Sequence, residues 1–198
     1  MNHDDTLRTV QLVGFLIVFP VGLFYRIRSQ ATREKLDRRQ EGVFIMVTLR
    51  TLGGTGMIGP IAWMVNPACM AWSSVTLPYW LRWIGVGIGA VGGGLLLWAF
   101  HSLGKNLTDT VVTRREHTLV TRGPYRWVRH PFYDAVALAV LANSLIAANW
   151  FLFLTGAIVF VLMIIRTRKE EELLVARFGA AYRQYMERTG RFLPKIGA

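Results

Sequence analysis

Three stretches of the chain, residues 7–25, 43–65 and 79–100, each run for about 20 mostly apolar residues with a single internal charge. That is the length an α-helix needs to cross the hydrocarbon core of a bilayer. A fourth apolar region, residues 133–165, is too long for one crossing, and its middle is punctuated by Ala148-Asn149-Trp150. It is expected to form a helical hairpin. With 53% hydrophobic residues and a mean hydropathy of +0.34, 198 residues carry more apolar surface than a soluble domain of that size buries. The fold class expected is therefore an all-α integral membrane protein with five transmembrane segments, the last two a hairpin.

Charge sets the orientation. The formal net charge is +11, and 20 of the 23 Lys and Arg fall in residues 26–41, 101–132 and 166–198. The opposite connections, residues 66–78 and 148–150, contain none. The positive-inside rule makes the three basic stretches cytoplasmic, which places the N-terminus outside and the C-terminus inside. The first apolar run has no basic stretch before it and no small-residue cleavage site after it, so it reads as a retained helix. Bases on that face suit anionic lipid, while nothing resembles the basic and aromatic stripe of a nucleic-acid binder. Cys69 is alone, which excludes an intramolecular disulfide, and the four histidines have no zinc-ligand spacing.

Glycines Gly85, Gly89 and Gly93 recur every fourth residue of the third segment, a spacing that lets helices approach closely, within the chain or between copies. The cluster Gly53, Gly54, Gly56, Gly59 and Pro60 predicts an irregular second segment.

The polar remainder divides into two pieces, which places any chemistry in residues 101–198: a connector (101–132), the hairpin (133–165) and a tail (166–198), preceded by a three-helix region (1–100) with its basic loop at 26–41. In the connector, Gly123-Pro124 marks a turn. Pro131 suits the first position of a helix, so Arg129 and His130 stand at the N-terminal mouth of the fourth segment, where free N–H groups favour an anion. In the tail, Leu174, Phe178, Tyr182 and Tyr185 form a helical stripe with a break expected at Gly179. Arg166 and Glu170 are four residues apart and suited to pairing. Glu171 stands about 140° around the helix from Arg166, faces elsewhere, and is a candidate to bind a cation.

The string Gly123-Pro-Tyr-Arg-Trp-Val-Arg-His-Pro-Phe-Tyr133, the preceding Leu103-Gly104 and His117-Thr-Leu-Val120, and the tail pattern of Arg166, Glu170-Glu171, Phe178-Gly179, Tyr182, Tyr185 and Thr189-Gly-Arg-Phe192 resemble the isoprenylcysteine carboxyl methyltransferase family. They are more distantly similar to phosphatidylethanolamine N-methyltransferase. The resemblance implies S-adenosyl-L-methionine as cofactor, a prenylated or otherwise lipidated acceptor entering from the bilayer, and a pocket built by the connector and the C-terminal helices. It implies that His117, Thr118, Leu119, Val120, Tyr125, Arg129, His130, Pro131 and Tyr133 line the cofactor, with Glu170 and Glu171 near its amino and sulfonium end. Arg166 would hold the acceptor's carboxylate, making Arg166 and Glu171 the catalytic pair; no metal is implied. Leu107 and Asp134 depart from the family pattern, and Asp134 bears on which acceptor is preferred. The chemistry is economical, because a carboxylate is already ionised at neutral pH and its methylation needs alignment and exclusion of water rather than a general base. Methylation of a phospholipid or other membrane amine, a nicotinamide-dependent sterol-reductase-like activity, and a non-catalytic lipid-binding scaffold are the competing readings.

Overall fold

The apolar stretches become helices in the computed structural model, which describes residues 3–30, 43–104 and 118–195. In order these are α1 (His3–Gln30), α2 (Val43–Val65), a 3-10 turn (Pro67–Ser73), α3 (Tyr79–Leu103), a second 3-10 turn (Gly123–Arg126), α4 (Pro131–Ala147), α5 (Trp150–Phe178) and α6 (Ala180–Arg188). No strand occurs among the described residues; two isolated bridges, Ser74 with Asn149 and Val128 with Gly190, take its place. The β-branched stretch at 108–113, which reads as extended, and most of the basic loop at 26–41 lie outside the described residues.

Three helices are long and apolar enough to cross a bilayer: α1 over Asp4–Tyr25, α3, and α5. Their large apolar side chains, Leu16, Ile17, Phe24, Val91, Val161 and Ile165 among them, are exposed, as a lipid-facing surface requires. The chain is an integral membrane protein. α4 and the described apolar part of α2, Gly56–Val65, are shorter.

α4 and α5 form the expected hairpin, but its arms are unequal. Nothing between Trp150 and Phe178 breaks a helix, so α5 runs straight through the boundary expected at Arg166 and ends at Gly179, whose φ of +55° suits glycine. At 1.5 Å per residue its 29 residues span about 43 Å, and its last turns stand clear of a 30 Å hydrocarbon core. The glycine- and proline-rich stretch around Gly56–Pro60 does not interrupt α2; neighbouring helices can support the freed backbone group.

α3 packs closely on α4. A Cβ at Gly85 would stand 2.8 Å from that of Leu145, and one at Gly92 would stand 2.9 Å from that of Leu138. The ladder therefore drifts, since Gly92 rather than Gly93 continues the α4-facing row while Gly93 meets Val18 of α1; at 3.6 residues per turn, four-residue steps slip around the helix.

Two of the lone charges inside the apolar runs, Arg8 and Arg82, finish helices. Arg8 donates to the carbonyls of Met64 (3.0 Å) and Val65 (2.8 Å) at the end of α2, and Arg82 Nε donates to Ile146 O (2.9 Å) at the end of α4. These carbonyls have no partner within their own helices. At this far end Asn149 accepts from Leu152 N–H to cap α5 and donates Nδ2 to Ser73 Oγ (2.8 Å) and Met70 O (3.1 Å). Trp72, Trp80 and Trp150 lie exposed around it, an interfacial aromatic set.

Candidate active site

At the other end, three separate segments converge. Gly123, at a φ of +61°, swings the connector back against α3, so close that a Cβ there would overlap Ser102 Oγ. The turn that follows buries Pro124 and Tyr125. The chain then extends through Val128 to His130, and Pro131 opens α4. Beside it runs the tail. Arg129 N–H donates to Gly190 O (2.9 Å), His130 N–H donates to Arg191 O (3.1 Å), and Gly190 N–H donates to Trp127 O (3.2 Å).

α5 delivers two carboxylates into this assembly, and they meet different surroundings. Glu171 is buried. Its Oε1 accepts from Arg129 Nε (2.8 Å) and Arg191 Nε (3.2 Å) and lies 3.2 Å from His130 Nε2, while its Oε2 accepts from Arg191 Nη2. Whether His130 Nε2 carries the proton depends on the tautomer. Arg129 also donates to the Met186 and Thr189 carbonyls, tying the end of α6 into the same knot. Glu170 is half-buried and its Oε2 accepts from the Tyr133 hydroxyl at 2.7 Å. The Tyr133 ring stacks on His130 with centroids 5.3 Å apart.

Tyrosines fill the remaining space. Tyr185 donates to Tyr125 O (2.6 Å) and lies against Tyr182, which is almost wholly enclosed. Burial pushes the Tyr185 phenol up to about 12. The Tyr125 and Tyr182 phenols are driven well above the ordinary range, first by burial, then at Tyr125 by the charge of Glu170 and at Tyr182 by those of Glu171 and Glu170. All three remain protonated at neutral pH, so none is a general base there.

The structure thus brings together Tyr125, Arg129, His130, Pro131, Tyr133, Glu170 and Glu171. Pro131 is fully buried beneath the corner. Arg166 is half-buried on α5, one turn before Glu170; Leu119 and Val120 are half-buried and Thr118 is exposed. His117 lies outside the described residues. Arg191 appeared in the sequence only as part of the tail string, without a role; its signal is a lone arginine in a Thr-Gly-Arg-Phe run. Glu171 and Arg191 also line, with Arg168, Glu172, Val175 and Met186, a cleft of about 480 Å³.

Residues 85–176 match the model of the isoprenylcysteine carboxyl methyltransferase family. The human protein-S-isoprenylcysteine O-methyltransferase is 31% identical over 133 residues, 63% of this chain and 45% of that protein, and the Saccharomyces cerevisiae protein of the same name is 32% identical over 105 residues, 50% and 42% respectively. Over residues 85–176 and these aligned stretches the chain is similar to the isoprenylcysteine carboxyl methyltransferase family. A further relative, methanethiol S-methyltransferase of Mycobacterium tuberculosis, is 36% identical over 70 residues, 35% of this chain and 28% of that protein. The chain matches less than half the length of each of these relatives. Among solved structures, a eukaryotic intramembrane Ras methyltransferase of the family superposes with a TM-score of 0.56 at 22% identity, covering 94% of this chain and 68% of that one. The isoprenylcysteine carboxyl methyltransferase fold is therefore present from α1 to the tail.

Proposed function

We propose that the protein is a membrane methyltransferase that moves a methyl group from S-adenosyl-L-methionine to the carboxylate of an isoprenylcysteine-like lipidated acceptor. The observation that carries this reading is the meeting of the Arg129-His130 corner with Glu170 and Glu171, 40 residues further along the chain, at the end of the membrane helices. The curated relatives named for that reaction support it. Five membrane passes, an outside N-terminus, and a basic face against anionic lipid on the cytoplasmic side complete the proposal. On this reading His117 to Val120, the segment Tyr125 to Tyr133 and the two glutamates form the cofactor site.

The residues fit such a cofactor. Glu170, a carboxylate bound by one neutral hydroxyl, that of Tyr133, carries a charge that the buried Tyr125 and Tyr182 phenols also feel, and carboxylates and aromatic rings both suit a cation. When bound, the cofactor supplies a methyl group on a positively charged sulfur. The protein's tasks are to align, to exclude water and to orient the acceptor. Arg166, one turn from Glu170, is placed to hold the acceptor carboxylate as a fork of N–H donors. An acceptor carboxylate, already ionised at neutral pH, would ask no general base of these residues.

The test is transfer of labelled methyl from S-adenosyl-L-methionine to N-acetyl farnesylcysteine by the purified protein, abolished by Arg166→Ala. The methanethiol S-methyltransferase relative favours a second reading, a small thiol acceptor. A thiol with a pKa of about 8.5 must ionise first, so its rate should climb from pH 6 to 9. A carboxylate acceptor should give a flat profile above pH 6.

A further inference from the structure

We propose that the end of the molecule opposite the candidate active site holds the headgroup of a zwitterionic, primary-amine phospholipid from the leaflet on that side, with Arg82 taking its phosphate and Asp4 its ammonium. The proposal goes beyond the methyltransferase reading and does not depend on it.

A cavity of about 290 Å³ lies there, lined by Asp4 of α1, Trp63 of α2, Met70 of the first 3-10 turn, Arg82 of α3, Ala147 of α4 and Asn149. That volume is at the small end of ligand pockets, enough for a headgroup and not for acyl chains. Its level in the bilayer selects the class of ligand. The lining residues stand at helix ends, and Trp72, Trp80 and Trp150 are exposed around them. Tryptophan collects at the depth of the headgroups.

Arg82 is the cation at this end with donors to spare. Its neighbour Arg8 is committed to the Met64 and Val65 carbonyls and to Asp5. Arg82, its side chain 13% exposed, donates Nε to Ile146 O and pairs through Nη1 with Asp4, while its Nη2 donates to nothing among the described residues. It also stands in the first turn of α3, where the N-cap Pro78 offers no side-chain acceptor. A cation at the positive end of a helix dipole is unfavourable unless anions face it. Asp4 is one such anion, but its side chain is 63% exposed, so water screens the pair. A phosphate is the second, matching the fork of guanidinium donors.

Asp4 decides which phosphate. Arg82 and Asp4 together carry no net charge, so an anionic headgroup would gain one contact and be opposed by the other. A headgroup with both phosphate and ammonium meets both charges. A primary ammonium also donates N–H groups to the carboxylate, which a quaternary amine lacks. The connections on this face agree, since residues 66–78 and 148–150 contain no Lys or Arg to draw anionic lipid.

The experiment measures binding to the detergent-solubilised full chain by native mass spectrometry and thermal unfolding, using short-chain phosphatidylethanolamine, phosphatidylcholine and phosphatidylglycerol, and free phosphoethanolamine. Phosphatidylethanolamine should fill a single site and bind at least about fivefold more tightly than either other lipid, the worth of one partly exposed charge contact. Asp4→Asn should erase that preference without lowering the melting temperature of the lipid-free protein. Ala71→Phe, which fills the cavity from its exposed lining and touches neither charge, should abolish binding of all three lipids. Equal affinity for the three, a preference for phosphatidylglycerol, a preference that survives Asp4→Asn, or undiminished binding in Ala71→Phe would overturn the proposal. Free phosphoethanolamine binding as tightly as the lipid would overturn the membrane source and assign the cavity to a soluble ligand.

Discussion

The two ends of the molecule are fastened by different forces. At the far end, Asn149 binds Ser73 and Met70, Val75 N–H meets Ala148 O, and Arg82 caps α4, so backbone carbonyls receive most of the hydrogen bonds. At the connector end the join is a buried carboxylate gripped by two arginines and a histidine. Hydrogen bonds to backbone carbonyls, those from Arg8 and Arg82 among them, hold segments around no buried carboxylate, whereas the charged knot fixes segments and also sets the potential of the space beside it. Fastening by charge belongs where an ionic ligand has to be sorted.

Changes at the two ends should therefore fail differently. The largest loss is expected from Arg129→Ala, which leaves Glu171 with only Arg191 and His130 and removes two carbonyl contacts; removing one partner of a buried pair costs about 3–5 kcal/mol, read as a lowered denaturation midpoint together with lost cofactor binding. A loss below about 1 kcal/mol would mean that the charged knot does not hold this end. Asn149→Ala removes a helix cap and two buried hydrogen bonds and should cost about 2–3 kcal/mol, yet leave cofactor affinity within twofold. An equal loss of affinity would erase the contrast between the ends. Gly92→Ala, which pushes a methyl group onto Leu138 in the contact joining α3 to α4, should cost about 1–2 kcal/mol, again without selective effect on binding. The smallest effect is expected of Lys169→Ala. Its pair with Glu172 is open to solvent, with side chains 48% and 65% exposed, and its removal should shift stability by less than about 0.5 kcal/mol. A larger shift would show that the charged end extends beyond the buried knot.

Much of this was legible in the residues, for physical reasons. Apolar length located the helices, Gly179 marked a break, and the 140° offset of Glu171 from Arg166 turned it to another face, where Arg129 and Arg191 hold it. The tail's pairing with residues 127–130 was not legible, because it is made by backbone groups that every residue carries. Asn149 read as mere punctuation in the hairpin, since its partners are the Met70 carbonyl and the Ser73 hydroxyl, some 76 to 79 positions away. The passage of α5 through Arg166 was hidden as well, because a change from apolar to charged residues marks a change of surroundings and not a break in the backbone.

One uninterrupted rod, α5, has Asn149 anchored at its start and Glu170 and Glu171 near its finish. A lean of about 10° at the anchored end would carry the opposite tip of a helix about 43 Å long through roughly 7 Å, and helices change their lean to match local bilayer thickness. A change in bilayer thickness would therefore load, through the length of this helix, the contacts by which Arg129 and Arg191 hold Glu171.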